Sequence, residues 1–216
     1  MSLGIKAAVL VENHPYDVAG FQHMLNSFTG CACYVQPVDL FVRDDINNMN
    51  YDTVLWYSMN WDPPAEDSPL DKYMRLRLGT TRQGIMLLHH ALLSFQKWEL
   101  FTRVSGVRER GADGLFQYHQ DQEVRTFVVG EHPITAGITD FTVTDETYTI
   151  GEPLESGNTP VLRTDNATSI KTIAWTRQYG ESRVFCYASG HDNKVYASES
   201  FRRVVRNGLL WTAGLL

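Results

Sequence analysis

Three short and uninterrupted apolar runs constrain this chain more than any other feature. Ile5 to Val11 is built on Ala-Ala-Val-Leu-Val, Asp52 to Met59 on Thr-Val-Leu-Trp-Tyr, and Gly84 to His89 on Ile-Met-Leu-Leu. A strand with one wet face alternates apolar and polar residues; a strand apolar at every position has to be covered on both faces, as in a parallel sheet between two helical layers. The intervening segments supply those helices. Asp17 can cap a helix in which Val18, Phe21, Met24, Leu25 and Phe28 recur at helical spacing, closed by Gly30. Cys31 to Val35 resumes as a strand, Ser68 to Leu78 reads as a second helix, and Ala91 to about Val104 as a third. This alternation implies right-handed crossovers within one sheet.

From about Tyr118 the texture changes. Glu123 to Val129, Phe141 to Thr144, Thr147 to Ile150 and Pro160 to Arg163 are strand-like pieces without intervening helices, expected as an excursion that builds a wall near the ligand crevice. Thr172 to Gln178 and Arg183 to Ser189 flank a four-residue connection, Tyr179-Gly180-Glu181-Ser182, and form a hairpin. Glu199 to Ala213 is an amphipathic closing helix. A length of 216 residues without repeat or linker gives one domain over residues 1–216, with residues 1–3 read as an added leader. The fold class expected is α/β, a three-layer sandwich with a mostly parallel sheet and a β-rich insertion.

Composition narrows the partners. The net charge of -6 comes from 25 acidic and 19 basic residues without long blocks, which offers no footprint for a phosphate backbone, so nucleic acid is not an expected partner. No apolar run approaches the roughly 20 residues needed to span a bilayer, and no secretory leader pattern is present. A cytoplasmic protein with no membrane partner is expected. Cys31, Cys33 and Cys186 lack the paired spacing of a zinc site and read as reduced, mostly buried thiols.

Two apolar runs end by delivering imidazoles: Leu88-His89-His90 and Ser189-Gly190-His191-Asp192. In an open parallel sheet, the carboxyl ends of the strands border the ligand crevice. Gly190 lets the backbone approach a ligand closely, which favours a functional His191 and Asp192. His89 and His90 are adjacent, so persisting strand geometry would turn only one of them to the crevice; the blander role is ordering the turn. The first loop, Glu12-Asn13-His14-Pro15, is polar and rich in ligand groups, and Trp61 in a proline-rich turn can stack on a pyranose face. Of the neighbours Asp145 and Glu146, one is expected solvated and one inward, where it would hydrogen-bond sugar hydroxyls or join His89 and His191 as a divalent-metal ligand. His132 before Pro133 reads as a turn former. The glycines of Gly111-Ala112-Asp113-Gly114 permit a mobile flap without showing one.

An ordered set of segments resembles the ThuA-like family, trehalose-utilisation proteins that share the flavodoxin-like fold of the class I glutamine amidotransferases. It comprises Gly84-Ile85-Met86-Leu87-Leu88-His89-His90 with Phe95 and Trp98, His132-Pro133-Ile134-Thr135-Ala136-Gly137 and Asp145-Glu146-Thr147-Tyr148. Ala174-Trp175-Thr176-Arg177-Gln178-Tyr179-Gly180, Arg183-Val184-Phe185, Gly190-His191-Asp192, and Phe201 with Gly208 and Trp211 complete it. The resemblance implies a role in carbohydrate metabolism. Amidotransferases place a cysteine at a sharp strand-to-helix turn; the corresponding stretch here is Leu88-His89-His90-Ala91-Leu92, with no Cys, Ser or Thr before Ser94, which argues against glutamine hydrolysis.

The leading expectation is a protein that binds or processes a sugar, acting as a hydrolase or isomerase if catalytic. His191, His89 and Glu146 would do the chemistry, with Glu12, Asn13, His14, Trp61, His90 and Asp192 holding the substrate; an imidazole with an ordinary pKa near 6.5 serves as acid or base at neutral pH. The alternative is a non-catalytic sugar-sensing or interaction module, and a homo-oligomer covering the hairpin edge is open to either. Bound FMN is set aside, because Glu12-Asn13-His14-Pro15 lacks the Ser, Thr and Gly of a phosphate loop.

Overall fold

The apolar runs become the strands of one nine-stranded sheet. In the computed structural model, which describes residues 4–111, 117–154 and 156–216, β1 (Ile5–Glu12) pairs in parallel with both β2 (Cys31–Gln36) and β3 (Thr53–Ser58). β3 then pairs with β4 (Gly84–Leu88), and β4 with β9 (Ser182–Tyr187), all in parallel. The rest is antiparallel: β9 with β8 (Ala174–Tyr179), β8 with β7 (Asn158–Thr164), β7 with β5 (Gln117–Val128), and β5 with β6 (Phe141–Thr149). The order across the sheet is β2-β1-β3-β4-β9-β8-β7-β5-β6. A mostly parallel sheet is therefore not what forms: four strand pairings are parallel and four antiparallel, because the β-rich stretch joins the sheet rather than standing apart from it.

Helix α1 (Val18–Asn26) starts where Asp17 accepts from the Gly20 N–H at 3.1 Å, and α2 (Val38–Arg43) follows β2. Ser68 accepts from the Asp71 N–H at 3.2 Å and starts α3 (Pro69–Leu76), with proline at the first position, where its missing N–H costs nothing. The helix expected from Ala91 to Val104 is broken. A 3-10 turn spans His89–Leu93, and α4 (Glu99–Ser105) begins six residues later, because His89 (φ 54°) and Phe95 (φ 49°) lie in the left-handed region and cannot continue a right-handed coil. The buried Arg110 guanidinium satisfies carbonyls left open by that break, donating to Phe95 O at 2.8 Å and Ser94 O at 3.4 Å, and to Thr102 Oγ1 at 2.8 Å.

After β9 a short α5 (Asn193–Tyr196) leads into α6 (Glu199–Thr212), whose Phe201, Val204, Val205 and Leu209 are buried. Gly208 lets α6 lie tight on the sheet: a Cβ there would come 2.4 Å from Phe185 Cδ1. The hairpin connection is two residues, Gly180-Glu181, rather than four, with Gly180 at φ 56°.

The two pieces expected at Phe141 to Thr144 and Thr147 to Ile150 are one strand, β6, which puts Asp145 and Glu146 in mid-strand. β5 pairs with β7 only over Thr126–Val128, and with β6 from Gln117 to Thr126. Beyond β7 the two strands run on as a ribbon, tied to the following loop by the Ile170 N–H on Tyr148 O at 2.8 Å and the Asn166 side chain on Glu123 O at 2.9 Å, and kinked where the register shifts between His119 and Gln122 and Asp121 takes φ 55°. β6 stands five places from β4 in the sheet, a span of roughly 24 Å if the sheet were flat. Yet the Tyr148 hydroxyl on β6 lies 2.7 Å from His89 at the end of β4, so the ribbon arches back over the parallel strands. Residues 1–3, read as a leader, and residues 112–114, part of the stretch whose glycines would permit a flap, lie outside the described residues.

Candidate functional site

The carboxyl ends of β4 and β9 and the returning ribbon meet at three side chains. His89 Nε2, His191 Nδ1 and Glu146 Oε1 form a nearly equilateral triangle, with edges of 3.4 Å between the imidazoles and 3.5 Å from each imidazole to the carboxylate. His89 and Glu146 are buried, and His191 keeps 24% of its side chain exposed.

Each corner is fixed by backbone. His89 leaves the strand with a positive φ, its buried ring meets Glu146 and His191, and its Nδ1–H donates to Ala188 O at 2.9 Å. That tautomer leaves Nε2 as an acceptor, where the Tyr148 hydroxyl donates. His191 hangs on a loop clamped by Asp145, whose carboxylate accepts from the Gly190 N–H at 2.8 Å and the His191 N–H at 2.9 Å, and from the Ser189 hydroxyl. Asp145 and Glu146 are both buried, so the expected division into one solvated and one inward carboxylate fails: Asp145 holds the loop from one face of β6 and Glu146 meets the imidazoles from the other. Burial raises the Glu146 carboxyl, but its contacts with the two imidazoles and the Tyr148 hydroxyl outweigh it and hold it below its ordinary value. Burial and the Glu146 charge push the Tyr148 phenol well above its ordinary value, so it remains a proton donor.

A cavity of about 510 Å³ opens from this triangle, within the range of small-molecule pockets, and is walled by His14, Tyr16, Trp61 and Tyr118 among others. Trp61 is 46% exposed, its loop tied down by the Gln96 N–H bond to Trp61 O at 3.3 Å. His14 stacks on His90 with ring centroids 4.0 Å apart. His90 lies behind that stack, its Nε2–H donating to Tyr57 O at 3.1 Å. Burial, helped by the neighbouring His89, lowers His14, and it lowers His90 further, so both stay neutral. The strand ends at Leu88, so alternation does not govern His89 and His90, and both rings come to this end of the sheet.

Of the residues expected here, His89, Glu146, His191, His14 and Trp61 converge. Glu12, Asn13, His90 and Asp192 stand off the lining. The Glu12 carbonyl receives the Met59 N–H, Asn13 (φ 58°) bonds the Asn60 side chain, and Asp192 caps α5 by accepting from the Lys194 N–H at 2.8 Å. Tyr148, Tyr16 and Tyr118 were not singled out; only Tyr148 carried a signal, two residues beyond Glu146 and so on the same face of its strand. His132 is a turn former, its Nδ1 accepting from the Ile134 N–H at 3.2 Å.

The family model for trehalose utilisation, ThuA, matches residues 35–212. No curated protein matches the sequence. Among solved structures, a ThuA-like protein from Parabacteroides merdae superposes with a TM-score of 0.73 at 16% identity, over 98% of this chain and 90% of that one. A ThuA-like protein from Bacteroides uniformis gives 0.71 at 16% identity, over 98% and 93%. A protein described as a component of GMP synthase, from Thermoplasma acidophilum, gives 0.56 at 11% identity, over 95% and 92%, which extends the likeness of fold to the glutamine amidotransferase type. With the family model covering most of its length and the α/β sheet shared with these structures, the chain belongs to the ThuA, or trehalose-utilisation, family.

Proposed function

We propose that this protein binds a carbohydrate in the crevice beyond β4 and β9 and acts on it by proton transfer. The observation that carries this reading is that the Glu146 carboxylate and the His191 imidazole, backed by the buried His89, meet at the floor of a cavity whose wall holds Trp61, Tyr16 and Tyr118. Aromatic faces stack on the apolar C–H faces of pyranose rings, and the polar floor supplies acceptors and an acid or base for hydroxyl and carbonyl groups. Glu146, held ionised, accepts a proton or orients a hydroxyl, and partly exposed His191 exchanges protons with the substrate. His89 is fixed as an acceptor and Tyr148 as a donor, so these two position the pair. Membership of the trehalose-utilisation family supports a disaccharide as the first substrate to try.

Glutamine hydrolysis is not part of this reading. The strained position at the end of β4 holds His89, whereas an amidotransferase needs a nucleophile there, and the buried Cys186 thiol, pushed up by burial, faces the Ser105 carbonyl instead. The parallel strands follow the order 2-1-3-4 and then β9, which supports a flavodoxin-like half-sheet with its site at the strand ends. No helix among the described residues is long and apolar enough to cross a membrane.

Titration calorimetry with trehalose and related disaccharides, followed by product analysis, tests the proposal. Trp61→Ala should weaken sugar binding by roughly tenfold, the scale of one aromatic contact. Binding without turnover would assign the chain to the sensing class instead, and a complete sugar panel without binding would overturn the crevice reading.

A further inference from the structure

We infer that His89 Nε2, His191 Nδ1 and Glu146 Oε1 are three ligands of a tetrahedral divalent transition-metal site, zinc by preference, whose fourth position faces the crevice. This goes beyond the carbohydrate reading and does not depend on it.

The spacing of the three atoms carries the inference. At 3.4, 3.5 and 3.5 Å they are too far apart for good direct hydrogen bonds, which run about 2.7 to 3.2 Å, and yet every pair is equally close. Ligands of one tetrahedral ion are separated by about 1.6 times the bond length, so zinc bonds of roughly 2.1 Å give about 3.4 Å. An octahedral face with the same bonds would bring them to about 3.0 Å. The triangle thus has the size of a tetrahedral face before any ion enters it.

The proton inventory agrees. His89 spends its one N–H on Ala188 O, so its buried Nε2 presents a lone pair, with a backbone carbonyl fixing tautomer and ring direction as metal-bound imidazoles require. The loop that carries His191 is anchored just as firmly, by three donors from Ser189, Gly190 and His191 to the Asp145 carboxylate. Two imidazoles and one carboxylate with an open position are a donor set that suits zinc, and also iron(II) or manganese, in catalytic centres. The single proton of the Tyr148 hydroxyl has two acceptors in reach, His89 Nε2 and the Glu146 carboxylate, so it can turn wholly to the carboxylate when the imidazole turns to an ion. A bound cation would supply Lewis acidity at the floor of the crevice.

The purified chain, stripped with chelator and dialysed, would be titrated with Co²⁺ alone and then Zn²⁺ alone, following visible ligand-field absorption and heat. One Co²⁺ per chain with the strong absorption of tetrahedral coordination, displaced by Zn²⁺, is the expected result. His191→Ala, at the exposed corner, and the near-isosteric Glu146→Gln should each weaken binding by at least about 100-fold with folding retained, whereas His23→Ala on α1 should bind as the parent does. Absence of stoichiometric binding by both ions, or binding unchanged in both site variants, would overturn the inference. A disaccharide titration of the stripped protein keeps this outcome separate from the carbohydrate reading, since a crevice that takes sugar without metal would leave that reading standing.

Discussion

The central parallel strands of the sheet hide both of their faces, and the antiparallel half hides them only in part. β3 and β4 are buried at every position, whereas β5 exposes or half-exposes ten of its twelve residues and β6 alternates until it reaches Asp145. The first pattern spends its side chains on packing and can offer chemistry only where a strand stops, which is why His89 and His191 lie beyond strand ends. The second can carry polar groups along its length, so Glu146 and Tyr148 come from mid-strand. The site lies on the seam, where a rigid platform supplies the imidazoles and a ribbon reaching from the far side of the sheet supplies the carboxylate.

The sharpest way to break this contrast is to remove core volume from each half. Leu87→Ala in β4 should cost about 2–5 kcal/mol in denaturant unfolding, because a strand packed on both faces cannot collapse around the hole. Val143→Ala in β6 should cost well under half of that, and equal costs would mean that the ribbon is as much core as the platform. Next in size is the clamp across the seam. Asp145→Asn keeps the shape but turns an N–H₂ toward donors, and should lose about 1–3 kcal/mol while broadening the His191 ring signals in NMR spectra; a rigid His191 in that variant would show that the ribbon does not hold it. Within the platform alone, Tyr57→Phe removes a hydroxyl bonded to Gly190 O at 2.7 Å and to the Tyr196 hydroxyl at 2.6 Å, and should cost about 1 kcal/mol by thermal melting without disturbing the ribbon.

The smallest effect is a pH dependence away from the seam. Burial, with Arg183 nearby, lowers the His132 imidazole below its ordinary 6.5, and its neutral Nδ1 accepts the Ile134 N–H. A folded-state value below the unfolded one means that the contribution is complete above about pH 6.5 and fades as the pH falls toward the lowered value. His132→Asn keeps an acceptor that does not titrate, so its melting temperature should fall less between pH 7 and pH 5 than that of the parent. An identical acid slope in both would remove His132 from the account.

The platform was legible in the sequence because continuous apolar runs have one structural meaning, and the ends of those runs named His89 and His191. The ribbon was legible only in pieces. Asp145 and Glu146 interrupt an alternating pattern with two charges, which reads as the end of one strand and the start of another, and only the pairing with β5 makes the strand continuous. The broken helix after His89 was hidden for a related reason: Leu92, Phe95 and Trp98 keep helical spacing, while the carbonyl bonds that permit the break come from Arg110, a distant cation whose side chain gives no local signal. The crevice tyrosines depend on how far the sheet curls, which no short stretch of sequence encodes.

The position of β9 has a consequence for how the chain is made. Of the nine strands of this sheet it is the last to leave the ribosome, and it stands at the centre, with Met86 pairing Phe185 across 99 positions of sequence. Until it emerges, β4 presents an open, wholly apolar edge, and two of the three corners of the site have no fixed relation to each other. Such long-range pairing slows folding, and an uncovered edge recruits other chains. The exposure ends when the hairpin of β8 and β9 slots into place, so substitutions that delay that hairpin should reduce the yield of soluble protein during synthesis far more than they reduce the stability of the finished fold.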